Sequence, residues 1–476
     1  MKVVSLLLVF FAAVVWSADA AAQGSPPSAL SLPPSASSFM GGIPTGTRTD
    51  NVVTITVLDA IRRALDHNLG VLLADDSIGR AQGARWRALS ELLPNASAHV
   101  SETRQKINLA AFGFGGAGGP DFPGIPNIVG PFNVFDARVN VSQSIVDLQR
   151  INDMRAESHN VAAARLMYAS ARDLVINVAG NYYIAALMAS ARADAARAQQ
   201  ETAQALFNQA QDLKQGGMVA GIDVLRAEVQ LSNETQRVTT TANDFEKAKM
   251  TLARIIGLPL GQPFVLDANL PDVPNPDMSL EQAADQAFKT RSDYQAAVER
   301  IHAAEAARRA VIGEALPSVR VNADYGDIGL TVGEAQATYS LSGLVTIPIF
   351  QGGRTRGRLL EADAELRRRQ SEAEDLKASI YYEVKTAFLD LQATARQLEV
   401  ATKARDLAAQ QLTQARDRFA AGVASNIDVI QAQESVALAT QQFIAAKYGY
   451  ALSKGALIRG IGISETALRQ VLGGAR

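Results

Sequence analysis

Few residues of this chain are placed for covalent chemistry. It contains no cysteine, which excludes disulfides, thiolate zinc sites, iron–sulfur clusters, thiol catalysis and a lipid-bearing N-terminal Cys. Its four histidines, His67, His99, His159 and His302, are far apart in the sequence, so no histidine-rich metal motif is present. The run Gly113-Phe114-Gly115-Gly116-Ala117-Gly118 matches G-x-G-x-x-G, but a pyrophosphate needs a helix to begin after the glycines. Pro120, Pro123 and Pro126 follow instead, so this segment reads as a long loop at a hairpin tip, with Phe112, Phe114 and Phe122 exposed. Glu372, Glu374 and Asp375, and the run Arg367-Arg368-Arg369, read as solvated helix faces. No catalytic residue, cofactor site or metal site emerges, and the chain does not read as an enzyme. Two carboxylates stand out by position: Asp223 and Asp428 each follow a small-residue turn at the start of a helix, where a negative charge complements the helix N-terminus.

Composition narrows the classes further. Apolar residues make up 47% and charged residues 20%, which excludes general disorder. With 46 basic against 48 acidic side chains there is no basic excess to hold nucleic acid. Met1-Lys2, the apolar run from Val3 to Val15 and the small residues Ala18-Asp19-Ala20 form a secretory signal peptide. A Ser/Pro/Gly-rich stretch follows and reads as a flexible arm. Beyond the signal no stretch reads as a membrane helix. Entry into a membrane would therefore require a closed β-barrel, the other fold that satisfies every backbone group in lipid.

The remaining chain is one pattern written twice. A helical stretch from Thr56 ends at Leu92-Leu93-Pro94, and another from Ser279 ends at Ala315-Leu316-Pro317; Pro stops both. Thr56 and Ser279 are N-cap candidates. Alternating segments come next. Ala96, Ala98 and Val100 lie opposite Ser97, His99 and Ser101; Ala137, Val139 and Val141 lie opposite Arg138, Asn140 and Ser142. In the second copy Val319, Val321, Ala323 and Tyr325 oppose Arg320, Asn322 and Asp324. The last run, from Tyr339 through Leu341, Gly343, Val345 and Ile347 to Ile349, opposes Ser340, Ser342 and Thr346. This period of two predicts a two-faced hairpin in each copy, a pattern open to a soluble sandwich as well as to a barrel.

Long proline-free helices are expected from about 150 to 214 and from about 354 to 420. Each ends in a small-residue turn, and a helix returns from Ile222-Asp223 or Ile427-Asp428. The returning helices carry apolar residues at every seventh position: Val224, Leu231, Val238, Phe245 and Leu252, then Val429, Val436, Phe443, Tyr450 and Leu457. That repeat implies helices supercoiled on neighbours. The chain thus divides into a signal peptide (1–22), an arm (23–52), a first repeat (53–260, hairpin 95–146), a linker (261–278), a second repeat (279–465, hairpin 318–350) and a tail (466–476). The fold class is mixed α and β.

The order helix, Leu-Pro, strand hairpin, long helix, Gly-turn with Ile-Asp-Val and returning helix, duplicated behind a signal peptide, resembles the TolC family of outer-membrane efflux proteins. The junction Ile349-Phe350-Gln351-Gly352-Gly353-Arg354 adds to the likeness. Its first-copy counterpart, Ile145-Val146-Asp147-Leu148-Gln149-Arg150, lacks both glycines. The resemblance implies a homotrimer in outer-membrane lipid, with a 12-strand β-barrel continued by a periplasmic α-helical barrel. Four strands per chain fit that number, because three chains supply twelve and leave a passage. The family further implies an inner-membrane pump and a periplasmic adaptor (membrane fusion protein) docked on the turns Gly217-Met218-Val219-Ala220 and Gly422-Val423-Ala424-Ser425. Asp223 and Asp428 would line the periplasmic entrance. Ala424 and Gln431 depart from the family pattern, which has a basic residue and a second Asp there. The expected function is a passive exit duct of a tripartite efflux or type I secretion system. The alternative is a non-conducting periplasmic coiled-coil scaffold.

Overall fold

The structure, a computed structural model, describes residues 38–112, 126, 128–269, 278–421, 423 and 425–464. The signal peptide, arm residues 23–37, the glycine-rich segment 113–118 with Phe122, linker residues 270–277, Gly422, Ala424 and the tail lie outside them. The first repeat runs through β1 (Val53–Ile55), α1 (Val57–His67), α2 (Leu69–Ser90), β2 (Asn95–Asn108), β3 (Ile128–Val146), α3 (Leu148–Gln215) and α4 (Gly221–Ile255). After β4 (Phe264–Leu266) come α5 (Leu280–Thr290), α6 (Ser292–Gly313), β5 (Ser318–Gly329), β6 (Gln336–Thr346), α7 (Arg354–Ala420) and α8 (Asn426–Ile461). Thr56 and Ser279 start α1 and α5 by the same reciprocal cap: the hydroxyl accepts from the backbone N–H three residues on, and Asp59 or Gln282 accepts from the cap residue's own N–H.

Each helical stretch before Leu-Pro is broken once, where a single helix is the sequence expectation. Asn68 and Arg291 adopt extended backbone, with ψ of 129° and 116°. The break frees each side chain for a remote partner. Asn68 Oδ1 accepts from Gly70 N–H at 2.9 Å and its Nδ2 donates to Phe39 O at 2.8 Å. Arg291 reaches Asp293 and Glu383. A second difference is that β6 stops at Thr346, before Ile347 and Ile349. Pro348 has no N–H to continue a ladder.

The arm and linker also depart from their sequence reading. From residue 38 onward the arm is held rather than flexible: Ile43 N–H donates to His67 O, Leu69 N–H to Gly41 O, and Thr49 N–H to Gln262 Oε1. Linker residues form β4, which pairs in parallel with β1. The buried Tyr183 hydroxyl closes this waist, bridging Ile55 O at 2.9 Å and Asp267 O at 2.7 Å. Around it lies the larger core, with Ile61, Val175, Ala179, Leu252, Ile256 and Phe264. The second repeat has a smaller core of Ala283, Ala287, Ile380, Val384, Leu457 and Ile461.

At 1.5 Å per residue, α3 and α7 (68 and 67 residues) each extend about 100 Å. α3 contains a stretch apolar enough to cross a membrane, against the sequence reading. Val175, Val178, Ala179 and Tyr183 of that helix are buried in the core, as a core helix requires. The seven-residue seam turns inward: Val224, Leu252, Val429 and Leu457 are buried, and the positions between them are half-buried.

Candidate functional site

Two regions carry the residues singled out by sequence: the sheet and the turns at the ends of the long helices. The sheet has four antiparallel strands in the order β2-β3-β5-β6, so β3 joins β5 and unites the two hairpins within one chain. Directly opposed residues on neighbouring strands share a face. The register aligns Ala98, Val139, Tyr325 and Tyr339 in one row, and Ala96, Val141, Ala323 and Leu341 in the next. Rows on the other face read Ser97, Asn140, Asp324, Ser340 and Asn95, Ser142, Asn322, Ser342. In these rows one face is apolar and the other polar across all four strands. Tyr339 and Leu341 of the apolar face are 81% and 74% exposed, the opposite of a sandwich interior.

On the polar face the side chains hold one another. Arg138 donates to Asp136 at 2.7 Å and to Asp324 on the next strand at 3.0 Å. Asn140 Nδ2 lies 3.0 Å from His99 Nδ1. Sequence alternation identifies the face but not these pairs, which depend on register between distant strands.

At both strand–helix junctions ion pairs join the end of the helix before the hairpin to the start of the long helix after it. Arg150 meets Glu91 at 2.6 Å in the first repeat; in the second, Glu314 takes Arg354 at 2.5 Å and also Arg358. A sequence signal for them exists, since Glu91 and Glu314 each stand three residues before the Pro of Leu-Pro. The first junction starts its helix with Asp147, whose carboxylate accepts from Arg150 N–H at 3.1 Å. The second uses Gly352 and Gly353 with φ of 59° and 86°, a left-handed turn that glycine makes without strain.

At the helix ends, α3 closes on Gly217 (φ 73°), with Met218 N–H donating to Leu213 O and Gly217 N–H to Lys214 O. The end of α7 shows the corresponding bond from Val423 N–H to Arg418 O. Met218 and Val423 are 70% and 66% exposed, Ala220 and Ser425 are exposed, and Val219 is half-buried. No atom lies within 4 Å of where a Gly217 Cβ would stand, so substitution there meets backbone strain, not collision.

The two aspartates differ. Asp428 is exposed and caps its own helix, accepting from Ser425 N–H at 2.9 Å and Ser425 Oγ at 3.0 Å. These hydrogen bonds hold its carboxyl below the usual range. Asp223 is half-buried, starts a helix whose cap residue is Ala220, and accepts from Arg226 at 3.2 Å. Among the described residues no group of three His, Asp or Glu could hold a metal ion.

A family model described as outer membrane efflux protein matches residues 62–258 and 283–462, one segment in each repeat. No curated protein matches the chain significantly. Among solved structures, the CmeC outer membrane channel of Campylobacter jejuni has a TM-score of 0.75 at 18% identity, covering 94% of this chain and 97% of that one. The outer membrane protein VceC of Vibrio cholerae has a TM-score of 0.72 at 18% identity, covering 85% and 96%. The open state of the Neisseria gonorrhoeae MtrE outer membrane channel has 0.73 at 18% identity, covering 85% and 88%. These likenesses establish a shared mixed helix–sheet fold with two repeats, and the family match, which spans most of both repeats, establishes membership: this chain belongs to the outer membrane efflux protein family, a family of outer-membrane channels.

Proposed function

We propose that three copies of this chain assemble into a passive exit duct, in which an inner-membrane pump supplies the energy and a periplasmic adaptor docks on the helix ends. One observation carries the reading. A sheet with one exposed apolar face and one polar face, ending in edge strands β2 and β6, suits strand addition from a second copy in lipid. Three four-stranded sheets close a twelve-strand barrel, apolar face to lipid and polar face to a wet lumen. The same exposed apolar face disfavours the non-conducting scaffold. The helices α3, α4, α7 and α8 then extend into the periplasm as the second part of the duct. Conduction needs no covalent step, so efflux of small molecules and secretion of a polypeptide are both open to such a passage.

The helix ends are the second part of the proposal. Gly217, Met218, Val219 and Ala220, with Gly422, Val423, Ala424 and Ser425, form the adaptor-docking turns, and Asp223 and Asp428 line the entrance. In a trimer those aspartates make a ring of carboxylates, which favours cations over anions. Replacing both with Asn should remove cation selectivity in planar-bilayer recordings while the trimer persists; unchanged selectivity assigns them to helix starts alone. Mass measurement in mild detergent tests the assembly, and a monodisperse monomer with full β content refutes it. Val321→Arg on the apolar face should cost roughly 2–4 kcal/mol near the bilayer midplane, whereas Asn322→Arg on the polar face should be tolerated. Equal tolerance at both sites shows the assignment of faces to be wrong.

A further inference from the structure

Part-way along the long helices lies a carboxylate that neither the sheet nor the helix ends use. Glu234 of α4 is 2% exposed, although glutamate is almost never enclosed without partners. It lines a cavity of about 50 Å³ together with Gln199 and Thr202 of α3, Gln230 of its own helix, Leu412 of α7 and Gln433 of α8. The cavity thus sits where the α3–α4 hairpin meets the α7–α8 hairpin. Glu234 Oε1 accepts from Gln230 Nε2 at 3.2 Å. Glu234 Oε2 and Gln433 Oε1 are both buried and accept no hydrogen bond. While the carboxylate is ionised both are acceptors, so neither can serve the other. One proton on Glu234 turns its oxygen into a donor.

Few charges face this group. Arg237 Nη1 lies 3.2 Å from Glu234 Oε2, outside hydrogen-bonding geometry, and donates to Gln199 Oε1 at 3.1 Å. Glu434 of α8 adds a like charge. The residues lining the cavity from α3 and α7 are uncharged. Burial, opposed by Arg237 and reinforced by Glu434, pushes the Glu234 carboxyl up from its usual range.

We propose that Glu234 is an acid-sensitive latch, which draws the two helical hairpins together when protonated and loosens their contact when ionised. The packed form binds the proton more tightly than the loosened form. Packing is therefore firmest below the ordinary carboxyl range, about pH 4, and weakens as pH rises toward the raised value. The cavity is wide enough to admit water, so ionisation is met by hydration of the helix contact instead of unfolding. Glu234 stands about 20 Å along α4 from the turn, separate from Asp223 and Asp428, and the latch does not depend on the exit-duct reading.

Hydrogen exchange on the full chain in detergent tests it. Comparing wild type with Glu234→Gln at the same pH cancels the intrinsic pH dependence of exchange. Near the ordinary carboxyl range the two should match. At higher pH the wild type should exchange faster in α4 around Glu234 and in α8 around Gln433, by up to about tenfold per pH unit crossed. Arg237→Gln removes the charge that favours the carboxylate, raises the packed-form value further and should let the rise in exchange continue to higher pH before it levels off. Equal exchange in wild type and E234Q up to about pH 9, or a rise that levels off at lower pH in R237Q than in the protein with Arg237, overturns the proposal. Should E234Q fail to fold, the infrared band of a protonated carboxyl in the wild type decides: fading where the rise in exchange levels off, and shifting to higher pH with R237Q, supports the latch, and its absence defeats it.

Discussion

The two repeats share a framework and close their waists by opposite means. The first uses main-chain pairing and apolar burial. Asn68, fully buried, ties Gly70 to Phe39; β1 pairs with β4; Tyr183 bonds two carbonyls; and the arm lies across the break. The second has no described strand pair or arm and uses charge. Arg291, 8% exposed, donates to Asp293 at 2.6 and 3.0 Å and to Glu383 at 2.6 Å, and Arg459 stands 3.7 Å from Glu383. One geometric problem, a helix broken once and packed on a long neighbour, thus has a neutral and an ionic solution. The ionic one stands beside a smaller apolar core, and through Asp293 it makes the second waist sensitive to acid.

The largest expected effect comes from breaking the ionic solution. Arg291→Met takes from Asp293 its hydrogen-bonded cation and leaves Glu383 only Arg459, 3.7 Å away, and removing one partner of a buried pair is strongly destabilising. Because Glu383 is about one-third exposed, solvent screens part of the loss. The expected cost is roughly 3 kcal/mol, read by denaturant unfolding of the helical signal. Acid should erase the same contribution. Burial would raise the Asp293 carboxyl, but the hydrogen bonds and charge of Arg291 outweigh it and hold it below its usual range. Stability from this pair is therefore complete above about pH 4 and lost as pH falls through the lowered value. The difference between wild type and R291M should narrow in acid; a constant difference would refute the ionic account.

Smaller effects test the neutral waist and the junctions. Asn68→Ala leaves Gly70 N–H and Phe39 O without their bonds, at about 1–3 kcal/mol. This loss should not change with pH over the carboxylate range, which separates it from R291M in the same assay. At the junctions, Gly353→Ala forces a Cβ into left-handed backbone, at about 1–2 kcal/mol. Asp147→Ala loses a cap worth about 1 kcal/mol. If Gly353→Ala has no effect while Asp147→Ala unfolds the first repeat, the two junctions are not alternative ways of starting the same helix.

Much of this was legible from the chain. Alternation around Val139, Val321 and Leu341 marks the strands, and register only aligns their faces into continuous rows. Leu-Pro and the small-residue turns mark the ends of helices, and Thr56 and Ser279 mark two starts. The Asp428 cap is also local, since Ser425 stands three residues before it. Other features left no local mark. Arg291 sits in an uninterrupted helical pattern and its partner Glu383 is distant in sequence, as is Phe39, the second partner of Asn68. The arm reads as flexible because its Ser, Pro and Gly form few local bonds; its partners, His67 and Gln262, belong to other elements.

What the sequence determined by itself is everything carried by short-range periodicity and chain stereochemistry: the duplication, the two-faced strands, the long helices and their inward seam. These follow because burial repeats every two or every seven residues, and because Pro, Gly and short polar side chains act on their own neighbours. Only the tertiary structure decided that β3 joins β5, that one waist is neutral and the other ionic, and that Glu234 and Gln433 line one small cavity. Each of those rests on groups brought together from distant segments, where enclosure from water sets the value of a charge or a hydrogen bond.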